Sequence, residues 1–370
     1  MQQNLRTVQL VVNNNCNCFC KMCDVGVLRR QKHQKQPDLT KELNTNFVSN
    51  IFAHDENSAP LSLTEYHELI QSVPAGTTFY INSAEPLLYK NIFPLLDILC
   101  ERGMRVYMTT NGLLLNKYVE KIAQYPIENF CVSIDGPAAV HDDVRGIKGL
   151  FAKVFEGMTR LRELRPDLYL RTSTAISHMN QDALVSMAKE LEPLRLQAML
   201  FNHLNFIDEA MANVHNQHYA ELISCTPSSI TLTPPERVHV PRLAREIFEL
   251  KQRYDNARFY PDISEPEDIY FYYKNPLGSV CGQGCLVGTN SLAVAPNGDI
   301  QLGQRCFQHV VGNVRTSSLN DILNNNAWLQ TFRTALKEAG GYFPACTRCC
   351  GGFNGKLRQK AFPWSESCSS

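Results

Sequence analysis

Through residue 201 the apolar positions of this chain switch repeatedly between a period of two residues and a period of three to four. Residues 7–12 (TVQLVV) form a β-prone run that leads directly into the first cysteines. Residues 24–61 are polar, with a basic patch from Arg29 to Lys35, and are expected to form a long excursion or lid. Strand-like runs recur at 77–81, 105–109, 129–134, 168–175 and 197–201, with amphipathic helical stretches at 88–100, 113–123, 150–164 and 180–191. Strands alternating with helices of this length predict βαβ units and a parallel sheet. Such sheets carry their chemistry at the carboxyl ends of the strands. Polar or glycine-containing motifs fall there: Asn82-Ser83-Ala84-Glu85-Pro86, Thr110-Asn111-Gly112 and Ser133-Ile134-Asp135-Gly136-Pro137.

After residue 201 the alternation stops. A histidine-bearing segment (202–218) and a proline-rich stretch (226–241) lead to a helix near 243–254. Asn297-Gly298, between apolar runs at 291–296 and 299–302, is a two-residue hairpin signal, and 318–336 is expected to be helical. The expected division is a barrel-like domain over 1–215, a connecting helical segment over 216–275 and a small domain over 276–370.

Charge adds an exclusion. Lysine plus arginine and aspartate plus glutamate are equal at 36 each, so no global field favours nucleic acid or an anionic membrane. No run approaches the roughly 18 apolar residues of a membrane span, and no signal peptide opens the chain, so the expected location is the cytoplasm.

Cysteine placement changes the picture most. Of fourteen cysteines, four lie between Cys16 and Cys23 and seven between Cys281 and Cys368; only Cys100, Cys131 and Cys225 lie between the groups. A cytosolic compartment does not support a disulfide framework, and two clusters suggest two metal sites. Cys16-x3-Cys20-x2-Cys23 offers three thiolates on one loop, where four would close a [4Fe–4S] cluster. One iron is then left open, as a catalytic zinc keeps an open position. Cys18 does not fit the spacing and reads as a spare thiol. A zinc knuckle pairing Cys20 and Cys23 with Cys346 and Cys349 would explain neither Cys16 nor the strand-end motifs.

Cys-x3-Cys-x2-Cys after a first strand resembles the radical S-adenosylmethionine (SAM) superfamily. Ser83-Ala84-Glu85-Pro86 resembles that family's Gly-Gly-Glu-Pro motif, with both glycines replaced. Thr110-Asn111-Gly112 resembles its third-strand motif. Ser133-Ile134-Asp135-Gly136 with His141-Asp142-x2-Arg145-Gly146 resembles the fourth-strand signature of the branch with extra clusters. The resemblance implies an α/β fold, a partial (β/α)6 TIM-like barrel with a small C-terminal hairpin-plus-helix iron–sulfur domain. It implies SAM on the open iron of the cluster at Cys16, Cys20 and Cys23. Glu85 would take the methionine amino group, and Ser133 with Arg145 or Arg171 its carboxylate and the ribose. Ser83, Asn111 and Asp135 are further cofactor-binding candidates. Cys285, the hairpin, Cys306, a helix and Cys346-x2-Cys349 resemble the SPASM or twitch extension, implying at least one auxiliary [4Fe–4S] cluster on those four cysteines.

By the same resemblance the expected activity is abstraction of hydrogen from an unactivated carbon. Oxidation would follow if the auxiliary cluster accepts the substrate electron. Epimerisation would follow if a thiol, Cys281 or Cys350, returns hydrogen. Only fifteen residues precede Cys16, which leaves no room for an N-terminal peptide-recognition domain and favours a small hydroxylated substrate such as a sugar or aminocyclitol. A peptide substrate is the alternative, and a non-catalytic iron–sulfur carrier the alternative of another class. Asn202, His203, Leu204 and Asn205, with Asp208, Glu209 and His215, could line the pocket. A flavodoxin- or ferredoxin-type protein is the expected reductant.

Overall fold

The computed structural model describes residues 4–34, 59–228, 232–279, 285, 288–302, 307 and 309–349. Six strands form in the order the periodicity predicts: β1 (Thr7–Leu10), β2 (Thr78–Ile81), β3 (Arg105–Thr110), β4 (Asn129–Ser133), β5 (Tyr169–Ala175) and β6 (Ala198–Asn202). Each pairs in parallel with the next. The helices between them include α1 (Asp24–Gln34), α2 (Leu63–Gln71), α3 (Ile92–Glu101), α4 (Leu115–Ile122), α5 (Ala138–Arg145), α6 (Leu150–Leu164) and α7 (Leu184–Leu191). Ser62 and Glu65 close a capping box that starts α2, satisfying N–H groups a helix start leaves unpaired.

Successive strand residues face opposite sides. Val8, Phe79, Val106, Phe130, Leu170 and Met199 share one face and pack in a single core with helix residues such as Leu95, Val154 and Leu161. The other parity carries Gln9, Tyr80, Thr109, Arg171, Ser173 and Asn202, all half-buried. One face of the sheet is therefore a greasy support and the other a polar surface. Tyr80 and Thr109 hydroxyls meet there at 2.7 Å, and Asn202 Nδ2 donates to Ser173 Oγ at 3.0 Å.

Three features depart from the sequence expectation. The stretch from residue 24 opens as the helix α1 rather than an excursion, because Val25 and Val27 bury against the body of the protein; residues 35–58, the rest of the expected lid, lie outside the described residues. After α8 (Glu209–Tyr219) and α9 (Val240–Arg253), a seventh strand, β7 (Ala257–Tyr260), joins β6 in parallel before α10 (Pro266–Lys274). Its four residues bury only Ala257 and Phe259, too weak a pattern to recognise. The expected helix over 318–336 is two, α11 (Leu319–Asn325) and α12 (Ala327–Glu338), broken where Asn326 leaves helical geometry and caps α12 through Leu329 N–H.

The hairpin at Asn297-Gly298 forms, with Gly298 at φ 88°. It joins β8 (Ser291–Val294) to β9 (Asp299–Gln301), and β10 (Val310–Asn313) follows. This unit does not stand apart: β8 pairs in parallel with β1, so one sheet runs β10-β9-β8-β1-β2-β3-β4-β5-β6-β7. Among the described residues no helix is long and apolar enough to cross a membrane.

Candidate active site

The loop after β1 is fastened from three sides. Val12 N–H donates to Ser83 Oγ at 2.8 Å. Phe19 N–H and Lys21 N–H donate to the carbonyls of Arg145 and Val144 at the end of α5, at 3.1 and 2.8 Å. Val27 N–H in α1 donates back to Cys23 O at 2.9 Å. Glycine is required at two of these contacts. Gly146 has φ +70°, and a Cβ there would lie 2.7 Å from Phe19 O; a Cβ on Gly26 would collide with the Cys20 backbone.

This fastening buries Cys16, Cys18 and Cys20 and leaves Cys23 half-buried. Donors converge on the thiols. Cys18 N–H lies 3.4 Å from Cys16 Sγ, Asn111 Nδ2 3.7 Å from Cys16 Sγ, and Arg145 Nη1 3.8 Å from Cys20 Sγ. A hydrogen bond from the Cys18 thiol is the largest influence holding Cys16 down to about 6, with Arg145 and Asn111 assisting against burial. The same thiol and then Arg145 lower Cys20. Cys18, left spare in the sequence reading, is the proton donor between them, and its own ionisation is pushed up strongly. Buried thiols biased toward thiolate, on one loop, are the soft donor set that an iron–sulfur cluster takes. Among the described residues no three or more His, Cys, Asp or Glu close on a single metal ion.

The strand-end motifs meet this loop. Glu85 is fully buried. Its Oε1 accepts from Leu87 N–H (3.0 Å) and Thr110 Oγ1 (2.7 Å), and its Oε2 from Asn111 N–H (2.7 Å). A carboxylate has about four acceptor positions, so these bonds leave capacity on Oε2. Burial, the largest influence, pushes Glu85 up to about 7 despite these donors, and Cys16 adds to the rise. Asn111 ties the cysteine loop down, donating to Asn17 Oδ1 at 2.7 Å as well as facing Cys16. The Ser83 hydroxyl is engaged by Val12 N–H, so its observed role is to join the two loops.

Asp135 and Arg145 are brought together rather than left open to a ligand. Arg145 Nε donates to Asp135 Oδ2 at 2.6 Å, and Ala175 N–H to Asp135 Oδ1 at 3.0 Å. His141, fully buried beside them, accepts from Asp135 N–H through Nδ1 at 3.1 Å; burial and then Arg145 hold it down to about 4. Ser133 is half-buried at the end of β4, level with Ser173. Arg171, on the polar face of β5, has a buried Nε with no hydrogen-bond partner among the described residues.

In the second cysteine region, Cys285 and Cys346 pack against one small core of Leu302, Leu329, Phe332 and Phe343. Phe307, next to Cys306, packs there too. Cys346 ends a short 3₁₀ turn (Pro344–Cys346), and Cys349 N–H donates to its carbonyl at 3.0 Å. Cys281, Cys306, Cys350 and Cys368 lie outside the described residues. Two residues near this region escaped the sequence reading. Arg348, fully buried, donates to the carbonyls of Tyr272, Asn275 and Gly278 at 2.6–2.7 Å, gripping the end of α10. Cys225 packs with Ala345 and Phe307. Neither carries a spacing signal. Of the histidines expected to line a pocket, His203 is buried among Tyr272, Tyr273 and Phe259, and His215 stacks on Phe307 and bonds to Ile223 O.

Comparison with known proteins agrees with this arrangement. The model of the radical SAM superfamily matches residues 10–191, and that of SPASM, an iron–sulfur cluster-binding domain, matches 285–350. An AdoMet-dependent heme synthase of Nitratidesulfovibrio vulgaris is 22% identical over 92% of this chain and 85% of its own length. One from Methanosarcina barkeri is 33% identical over 30% of this chain, and that match spans only 33% of the relative's length. Streptococcus suis SuiB, solved with its precursor peptide SuiA, shares the fold with a TM-score of 0.58 at 14% identity, over 95% of this chain and 72% of SuiB. The two family models imply a SAM-binding [4Fe–4S] cluster and auxiliary iron–sulfur ligation. The chain belongs to the radical SAM superfamily, in the branch with a C-terminal SPASM domain.

Proposed function

We propose that this chain is an enzyme that abstracts hydrogen from an unactivated carbon of an organic substrate held on the polar face of the sheet. The observation that carries this reading is the convergence of the Cys16–Cys23 loop, Glu85 and Asn111 at the carboxyl ends of β1, β2 and β3. When bound, an open-iron [4Fe–4S] cluster and SAM supply a 5′-deoxyadenosyl radical. Cys16, Cys20 and Cys23 would hold the cluster. Glu85 would bind the methionine ammonium through Oε2. Arg171, whose buried Nε has no hydrogen-bond partner among the described residues, would bind the methionine carboxylate with Ser133. Cys285, Cys306, Cys346 and Cys349 would hold an auxiliary cluster, and a flavodoxin- or ferredoxin-type protein would supply electrons.

The likeness to a heme synthase along most of the chain favours a non-peptide organic substrate. The sugar or aminocyclitol expected from the sequence finds no support among these relatives. The fold shared with SuiB, which is bound to a peptide in its solved structure, keeps a peptide as the second reading. The test is anaerobic incubation of the reduced protein with SAM, following 5′-deoxyadenosine. Release in the wild type and its loss in Cys20→Ala is the expected result. No release from the fully iron-loaded wild type would favour a non-catalytic carrier. Products from peptide and non-peptide substrate pools, read by mass, separate the two substrate readings.

A further inference from the structure

The Arg145 guanidinium has a place that its sequence motif does not explain. It ends α5 with a side chain only 11% exposed, paired with an Asp135 that is not exposed at all. Asp135 is itself immobilised from three directions: Ala175 N–H on Oδ1, Asn180 Nδ2 on its carbonyl at 2.9 Å, and its own N–H on His141. The ion pair is oriented, with Arg145 Nη1 toward Cys20 Sγ at 3.8 Å and its carboxylate partner bound through Nε. The backbone carbonyl of Arg145 holds Phe19 N–H in the same loop. Arg171 Nε, by contrast, has no hydrogen-bond partner among the described residues.

We propose that Arg145, held by Asp135, is a positioning residue that sets a positive charge against the Cys20 thiolate and raises the reduction potential of the cluster bound there, and that it does not take the methionine carboxylate. The proposal rests on the reading that Cys16, Cys20 and Cys23 hold a cluster. One-electron reduction adds a negative charge to the thiolate-bound site, and a nearby fixed cation in a poorly solvated setting stabilises that form more than the oxidised one. The Asp135 carboxylate offsets part of this, but the cation is the end of the pair that faces the sulfur.

The test uses the full chain, reconstituted without oxygen, and an EPR-monitored redox titration without SAM of the signal that SAM addition alters. Arg145→Met alone would leave Asp135 buried without its counter-charge and damage the fold. Two variants avoid this: Arg145→Lys, and Arg145→Met combined with Asp135→Asn. The double variant should keep its iron and titrate at a more negative midpoint than the wild type, with Arg145→Lys between them. Its SAM dissociation constant should stay within about threefold. An unchanged midpoint together with a SAM affinity weakened about tenfold or more would overturn the proposal and make Arg145 a SAM ligand. A fully loaded wild type with no SAM-responsive signal would overturn the cluster reading itself.

Discussion

At Glu85 a single carboxylate joins three parts of the site. It fastens the Pro86–Leu88 turn and the end of β3, and it is aligned by both toward the cysteine loop. Its position, pushed up to about 7 chiefly by burial, sets a sign. The folded state keeps a proton that the unfolded chain releases near the ordinary carboxylate value, so the cofactor-free protein loses stability as pH rises from about 4.5 through about 7. An ammonium ligand favours the ionised form. SAM binding is therefore expected to tighten as pH rises through about 7, and calorimetry in two buffers should show proton release. Glu85→Gln should flatten both trends; a pH-independent wild type would remove Glu85 from the ammonium. Arg171→Met should weaken SAM binding about tenfold or more, the usual worth of a charged hydrogen bond, and an unchanged constant would assign that guanidinium elsewhere. At this scale the sequence was legible where spacing alone places residues together, as with Cys16, Cys20 and Cys23 on one loop. It was not legible where a role depends on a side-chain pairing made only in the folded chain. Asp135 and Arg145 look like two ligands in sequence and are each other's partner in space.

Among elements, the cysteine loop is rigid because α1 and α5 press on it, and both contacts need glycine. Gly146→Ala places a side chain at φ +70° and 2.7 Å from Phe19 O, a conformation that costs on the order of 1–3 kcal/mol. The expected outcome is lower iron occupancy at the first site, with the SPASM site retained. Equal iron in variant and wild type would mean that the loop tolerates displacement. Arg348 does for the second site what these helices do for the first. It lies between Cys346 and Cys349 and donates into the carboxyl end of α10, where carbonyls carry partial negative charge. Arg348→Met should strip the auxiliary iron before the first cluster is affected, read as iron per chain and by EPR. The repeated strand–helix period made β1 to β6 recognisable. β7 was missed because a four-residue strand at a sheet end buries too little to leave a pattern. α1 was missed because its charged residues outnumber the two valines that anchor it.

In the whole molecule, one sheet serves both metal regions. β1 carries the loop of the first site and pairs on its other side with β8 of the SPASM region. Arg315 adds a second tie, bonding Glu65 at 2.5 Å and the carbonyl of Asn297 at 2.7 Å. Removing residues 276–370 should thus expose the edge of β1, a site for non-native pairing, and the truncated chain should unfold at lower temperature or aggregate. The sequence announced two cysteine groups and a hairpin within the second, but not that the hairpin would extend the barrel sheet; parallel pairing of strands so far apart leaves no local signal. The claim on which the rest depends is that the two cysteine groups hold separate clusters. Iron per chain in anaerobically reconstituted wild type and in a Cys16→Ala, Cys20→Ala, Cys23→Ala variant tests it most directly. By four irons per cubane, the account predicts about eight in the wild type and about four in the variant. A variant that keeps the full wild-type iron would contradict it.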